Sequence, residues 1–292
     1  MFRRRERGVA LLGAVMALTA LTLVATGLAT SAAVDRRRTA DALEGMQADA
    51  LARSAVATAS VLLAEQSHTG EPDSLRSPWA RKIGRQTVGP GWVEVTVEDE
   101  PRRLDLNAPG IAVTLPRLLR RLGLDPSLAD ALADWTDPDD EERPHGAERA
   151  WYRRQSPPLQ PPNGPLGSVG ELGLLRGAQP AAVERLRPFV TVAGEAGVNP
   201  NTASREVLEA WLGDPEKAQD IVARRAETVV TCDDLPPCTV HAQHFLVRAV
   251  AGAGRARRRV DAVVWVAGGE PRVSSWTVPT RDSVSGRDGT RE

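Results

Sequence analysis

The densest chemistry in the sequence lies between Asp134 and Tyr152, DWTDPDDEERPHGAERAWY. From Asp125 to Glu148 nine acids face one base, Arg143, so either solvent or a cation must offset the charge. Carboxylates are the hard oxygen donors that calcium prefers. Taking Asp137 as the first position of an EF-hand loop puts Asp139 at the third, Glu141 at the fifth and Glu148 at the twelfth. The sixth position is Glu142 where that loop needs glycine, and Pro138 and Pro144 fit it poorly, so an EF-hand is rejected. A calcium site of another kind is kept, against the competing reading of a solvated acidic loop.

A second group is Cys232, Cys238, His241 and His244, whose spacing matches no common structural zinc site. A disulfide between Cys232 and Cys238 across the Pro236-Pro237 turn is the better reading if the domain is exported, as the amino-terminal segment below indicates. No GxSxG, HExxH, Walker or dinucleotide glycine pattern occurs, and no nucleophile and base make a convincing catalytic pair, which points away from an enzyme. Arg255, Arg257, Arg258 and Arg259 read as the cap of a solvated hairpin or as a surface for an acidic partner.

The elements that must position these groups begin with a membrane helix. Val9 to Val34 is uncharged over 26 residues, which as a helix runs about 39 Å, enough to span a bilayer. Arg3, Arg4, Arg5 and Arg7 precede it, so the first eight residues stay cytoplasmic and the rest is exported. A cleaved signal peptide is the rival, but its apolar core is usually only ~7–15 residues. Residues 35–66 continue as a helical stem with no Pro and one Gly. Glu71 to Pro90 reads as a loop, Trp92 to Glu98 alternates as a strand, and His244 to Ala253 with Arg259 to Ala267 forms a hairpin.

The expected fold is therefore α+β. It has a transmembrane helix (9–34), a stem (35–66), a small α/β domain (67–104 and 228–273) and a helical insertion (105–227). The tail, 274–292, is polar and without periodicity. Within the insertion, LDLNA at Leu104 to Ala108 echoes VNPNTA at Val198 to Ala203, each ahead of a helix. Either these are two ordinary capped helices or a pair of helix-hairpin-helix-like units. In a chain of 292 residues, 41% hydrophobic composition excludes wholesale disorder, and a net charge of −1 leaves no generally basic surface for nucleic acid.

Two resemblances bear on function. A basic leader ending in Gly8, followed by the apolar helix from Val9 and its stem, resembles the amino terminus of type IV pilins and pseudopilins, which implies cleavage between Gly8 and Val9 by a prepilin peptidase and methylation of the new amino group. Counting Val9 as the first mature residue, the fifth is Gly13, where most pilins carry glutamate. DWTDPDDE with GAE and Tyr152, then PPNGPLGSVGELGLL from Pro161, then VNPNTAS, is similar to the general secretion pathway protein K family. That family consists of the large minor pseudopilins of type II secretion, and it shares the missing glutamate. The likeness implies a pilin-like α/β fold with an inserted α-domain, bound calcium, and a place at the tip of a pseudopilus. It adds Asp134 to Asp137, Asp139, Glu141 and Glu148 as candidate ligands. It further implies other minor pseudopilins, the major pseudopilin, the inner-membrane assembly platform and the prepilin peptidase as partners, with one pass through the inner membrane and the body in the periplasm.

The stretch from Val198 to Arg225 also resembles membrane-anchored helix-hairpin-helix proteins of DNA uptake. Its turn, Leu212 to Glu216, lacks the second glycine, loses an amide at Pro215 and sets Asp214 and Glu216 where a phosphate would sit. No nucleic-acid partner is expected.

Overall fold

The computed structural model describes residues 3–193, 195 and 197–277; the first two leader residues and 278–292 of the tail lie outside them. A single helix, α1 (Arg3–His68), contains the segments expected as leader end, span and stem. Its segment from Leu12 onward is long and apolar enough to cross a membrane. Thr19, Thr22, Thr26 and Thr30 turn their hydroxyls back onto carbonyls three or four residues earlier, so each donor is satisfied within the helix, as a lipid environment demands. Beyond the span, Ala48, Ala52, Val56, Ala59 and Leu63 recur at helical spacing and are buried. The alanines let the helix backbone approach the sheet closely.

That sheet has five antiparallel strands in the order β1-β2-β5-β6-β7: β1 (Ile83–Val88), β2 (Gly91–Asp99), β5 (His244–Ala253), β6 (Ala256–Ala267) and β7 (Glu270–Thr277). Val95, Val97, Phe245, Val247, Val260 and Val264 face α1 and make one core. Two corrections concern its edges. The segment read as a loop contains β1, whose residues are all exposed, and the segment read as a tail begins with the second half of β7. Both are edge strands with little to bury, so the alternation that reveals a strand is missing. The hairpin also turns earlier than expected, at Gly254-Arg255, with Ala253 paired to Ala256.

Between β2 and β5 lies the α-domain. A short parallel pair, β3 (Leu104–Asp105) and β4 (Val190–Thr191), ties its two ends together. Around it pack α2 (Ile111–Arg121), α3 (Leu128–Thr136), α4 (Arg149–Tyr152), α5 (Pro180–Leu186), α6 (Arg205–Leu212) and α7 (Pro215–Arg224). Gly213 ends α6 at a φ of 67°, and Asp214 starts α7 by accepting from the amides of Glu216 and Lys217. Val230 is buried in this second core, with Leu235 and Cys238 against it, so the α-domain runs past residue 227 and the sheet domain resumes later than expected. The echo noted in the sequence has a structural counterpart. Asn107 bonds both backbone groups of Leu166, at 2.8 and 3.0 Å, and Asn201 does the same to Val230, at 2.8 and 2.9 Å.

The two cores are joined by a buried polar knot. Asp99 Oδ2 accepts from Thr202 at 2.6 Å and from Asn199 at 3.0 Å, while Asp99 Oδ1 has no partner. Asn199 also donates to the Asp73 carbonyl, and the Arg76 guanidinium reaches carbonyls at the end of α7. Burial pushes the Asp99 carboxyl up from 3.8 to about 6, against the pull of those hydrogen bonds. A raised carboxyl favours the folded state below pH 4, and that stability is lost as pH rises through 6, in all about 3 kcal/mol. Asp99→Asn keeps an acceptor for Thr202 and Asn199 without the charge. Its melting temperature minus that of the parent should therefore climb between pH 4.5 and 7; parallel melting profiles would reject this.

Candidate metal centre

The acidic segment is shaped by Pro138 and Gly146. Pro138 disfavours helix at the residue before it, and α3 stops at Asp137, whose backbone is extended at φ −79°, ψ 161°. The chain then doubles back so that Gly146 lies on the Asp134 carboxylate, where any β-carbon would collide with it. Glu148 precedes α4 in extended conformation, yet its side chain caps no helix amide and is buried.

Asp137, Asp139 and Glu148 converge, with one carboxylate oxygen from each lying within 4.8 Å of the others. Calcium holds its oxygens at about 2.3–2.6 Å, so two donors on opposite sides stand roughly 5 Å apart, and the three carboxylates fit that radius. Asp137 Oδ1 and both Glu148 oxygens are buried without a hydrogen-bond partner. Burial first, then the charges of Asp134 and Asp137, raises the Glu148 carboxyl from 4.5 to about 7. Three buried acceptors left unpaired on two neighbouring carboxylates are costly unless a cation or proton joins them. Trp135 and Trp151 stand edge-on to Tyr152 at 4.8 and 4.9 Å, and the buried Tyr152 hydroxyl accepts from the Arg176 amide. This aromatic wall flanks the acidic loop.

The structure does not bring Asp134 and Glu141 into the group. Asp134 is fully buried but is taken by Arg143, whose guanidinium bridges it at 2.7 Å to Asp137 at 2.5 Å. Glu141 is exposed; only its backbone amide touches the cluster, donating to Asp139 Oδ1 at 2.9 Å. The reason is geometric: Asp134 still belongs to α3 and points into the domain, whereas Glu141 follows the turn that carries it outward. One nearby group was missed in the sequence. Asn163 donates to the Asp139 carbonyl at 3.2 Å, and its own side-chain oxygen is buried and unpaired. Its only signal was an Asn-Gly turn, at φ 47°.

The donor set is all oxygen, so a hard divalent cation is the ligand class it suits, and the ion's effect would be to neutralise the loop and lock it onto α3 and α4. The other candidate group resolves differently. Cys232 and Cys238 are bonded, with Cα atoms 5.9 Å apart. Cys238 packs on Gly197, at φ 98°, where a side chain would strike the Cys238 backbone. His244 instead faces Glu195 at 3.0 Å. Gly8 and Val9 fall within α1, and Gly13 has open space around it.

The family model "Type II secretion system (T2SS), protein K" matches residues 102–195. Type II secretion system protein K of Klebsiella pneumoniae is 32% identical over 256 residues, covering 77% of this chain and 76% of that protein. The protein of the same name from Pseudomonas aeruginosa is 33% identical, covering 80% and 76%. Among solved structures, a chain of the GspK-GspI-GspJ complex from the enterotoxigenic Escherichia coli type 2 secretion system superposes with a TM-score of 0.71 at 20% identity, over 83% of this chain and 99% of that one.

Proposed function

From the premise that this chain belongs to the type II secretion system protein K family, and is thus a minor pseudopilin, we propose that it caps the pseudopilus that supports export of folded proteins across the outer membrane. The observation that carries the tip position is where the α-domain is attached. The turns at Gly89-Pro90 and Gly254-Arg255 sit at the stem's membrane end, because the Arg255 amide donates to Glu44 Oε2 at 2.7 Å. The far end of the sheet lies by His68, which abuts Gly269. The α-domain leaves from β2 at Asp99 and returns to β5 at His244, at that far end. It therefore stands above the stem, where it would obstruct another subunit stacked on top. Gly13 supports the same reading from below, since it offers no carboxylate to a neighbour's amino terminus inside the bilayer, where an unpaired charge is expensive.

In this reading α1 anchors the chain once in the inner membrane with the body in the periplasm. The partners are the major pseudopilin, the assembly platform and minor pseudopilins equivalent to the GspI and GspJ of the solved complex. Leu43, Met46, Val61 and Leu62 form an exposed apolar stripe along the stem for such helices. The role is structural rather than catalytic, and the acidic site holds calcium as a brace. Co-expression with the cognate minor pseudopilins should return a stable complex, and labelled protein should mark one end of each pseudopilus in electron micrographs. Labelling along the filament, or filaments of this chain alone, would refute the tip position.

Processing gives an independent check. Intact mass of the membrane form should show loss of the first eight residues and one added methyl group on Val9. A retained Met1, or cleavage near Ala33, would remove the prepilin reading.

A further inference from the structure

Resting on the reading that residues 9–34 span the bilayer, we propose that the membrane end of the sheet is a docking surface for the anionic phospholipid headgroups of the leaflet on the body's side. Arg36, Arg37 and Arg38 leave the span directly and are exposed. The β5–β6 turn adds Arg255, and the start of β6 adds Arg257 and Arg258. Arg255 and Arg257 are exposed, and the Arg258 guanidinium lies across α1 at Gly45. Among the described residues none of Arg36, Arg37, Arg255, Arg257 and Arg258 has an acidic side chain within ion-pair distance. The acids on this stretch are Asp35, which faces Arg38 at 3.8 Å, Asp41, and Glu44, which is used by the turn. The balance at this end is basic, in a chain whose overall charge is −1.

The patch is also held at a fixed height. Glu44 accepts the Arg255 amide, and a β-carbon at Gly254, at φ 53°, would overlap the Glu44 carboxylate, so the turn is seated on α1 at that level. Glu44 lies ten residues beyond Val34, or about 15 Å along the helix axis. An extended arginine covers roughly 6 Å of that, leaving a gap near the ~8–10 Å over which charges act at physiological salt. The sheet lies on one side of α1, and an average span tilts by about 20°, so leaning toward the sheet brings the arginines to the headgroups. On the outer face the Trp92 indole lies over Gly252 between Arg85, at 3.8 Å, and Arg257, at 6.0 Å, which holds that face of the patch together.

A second observation points the same way. Arg36, Arg37 and Arg38 on the exported flank nearly balance the four leader arginines and so work against the orientation the leader sets. A basic flank at that position fits a use at the membrane surface. Docking would fix the tilt and rotation of the stem, presenting its apolar stripe to partner helices in one orientation.

The test uses the full chain in nanodiscs, with a fluorophore on Val88→Cys beside the membrane-end turns, a second version on Glu270→Cys at the far end, and a quencher on the lipid headgroup. With about 30% phosphatidylglycerol, quenching at position 88 should be about twice that in pure phosphatidylcholine, and ~0.5 M salt should abolish the difference. Position 270 should be quenched little in either lipid. Arg255→Glu with Arg257→Glu should remove the gain, and the salt effect in the unaltered patch stands even if that variant folds poorly. Equal quenching in both lipids, or quenching indifferent to salt, would overturn the proposal. So would a charge-reversed variant that loses its minor pseudopilin partners while its quenching is unchanged, because the arginines would then serve an acidic protein. Failure of the chain to be retained in the nanodisc at all would instead refute the membrane-spanning reading.

Discussion

Calcium added to chelated protein should raise its melting temperature by roughly 10 °C. A ligand at a thousand times its dissociation constant stabilises the folded state by about 4 kcal/mol, which in a body of this size is worth ~2–4 °C per kcal/mol. The metal-free site already carries the cost that binding removes, since Glu148 is 4% exposed with both oxygens unpaired beside Asp137. Glu148→Gln separates the two effects by sign. It takes a charge out of a site short of partners, so the chelated variant should melt above the chelated parent. It also removes one of the three converging carboxylates, so if they hold calcium the variant with calcium should melt below the parent. Glu141→Gln, at an exposed residue outside the group, should leave both values near those of the parent. A parent that melts at one temperature with and without calcium, and holds no metal by elemental analysis, would leave a solvated acidic loop.

Asn201→Ala should cost a similar amount by another route. Asn201 is 2% exposed and supplies both the donor and the acceptor for the Val230 backbone, holding the segment after α7 against the α-domain core. Alanine leaves a buried N–H and a buried C=O unpaired, each worth about 1–3 kcal/mol, so the melting temperature should fall by roughly 10 °C. Asn107→Ala breaks the matching pair to Leu166 in a half-buried setting, and its loss should be nearer half as large. Calorimetry on the calcium-loaded proteins decides this, and indistinguishable melting of Asn201→Ala and its parent would show that water replaces the amide.

What could be read from residues alone followed how local the cause was. The span and stem were legible because one uncharged run and the scarcity of Pro and Gly settle a helix without reference to anything else. The α6–α7 hairpin was legible through the break at Gly213, Asp214 and Pro215, while the residue that caps α6 is Ser204 and not the Asn or Thr just ahead of it. Charge density located the acidic site, but the choice among its carboxylates was not local. It depends on Arg143 folding back to engage Asp134 and Asp137 and on Gly146 making room for Asp134. β1 and β7 escaped notice because edge strands bury too little to show alternation, and Val230 because its core lies on the other side of a domain boundary.

The neighbouring positions of β2 and β5 in the sheet also constrain how the chain can fold. Asp99 pairs with Phe245 across the entire α-domain. Bringing together the ends of a flexible loop of roughly 145 residues costs about 4 kcal/mol in lost chain freedom before the first strand contact forms. A folded α-domain removes most of that burden, because the parallel pair of Leu104 with Val190, and the Asn199 amide bonded to the Pro101 carbonyl, already hold the two connections side by side. The insertion thus serves as the clamp that closes the sheet around it, and β5 to β7, the last strands to leave the ribosome, complete a surface whose first half has waited for them. Lesions inside the α-domain, including those at its acidic loop, would on this account slow formation of the distant sheet even when the finished protein is stable enough to function.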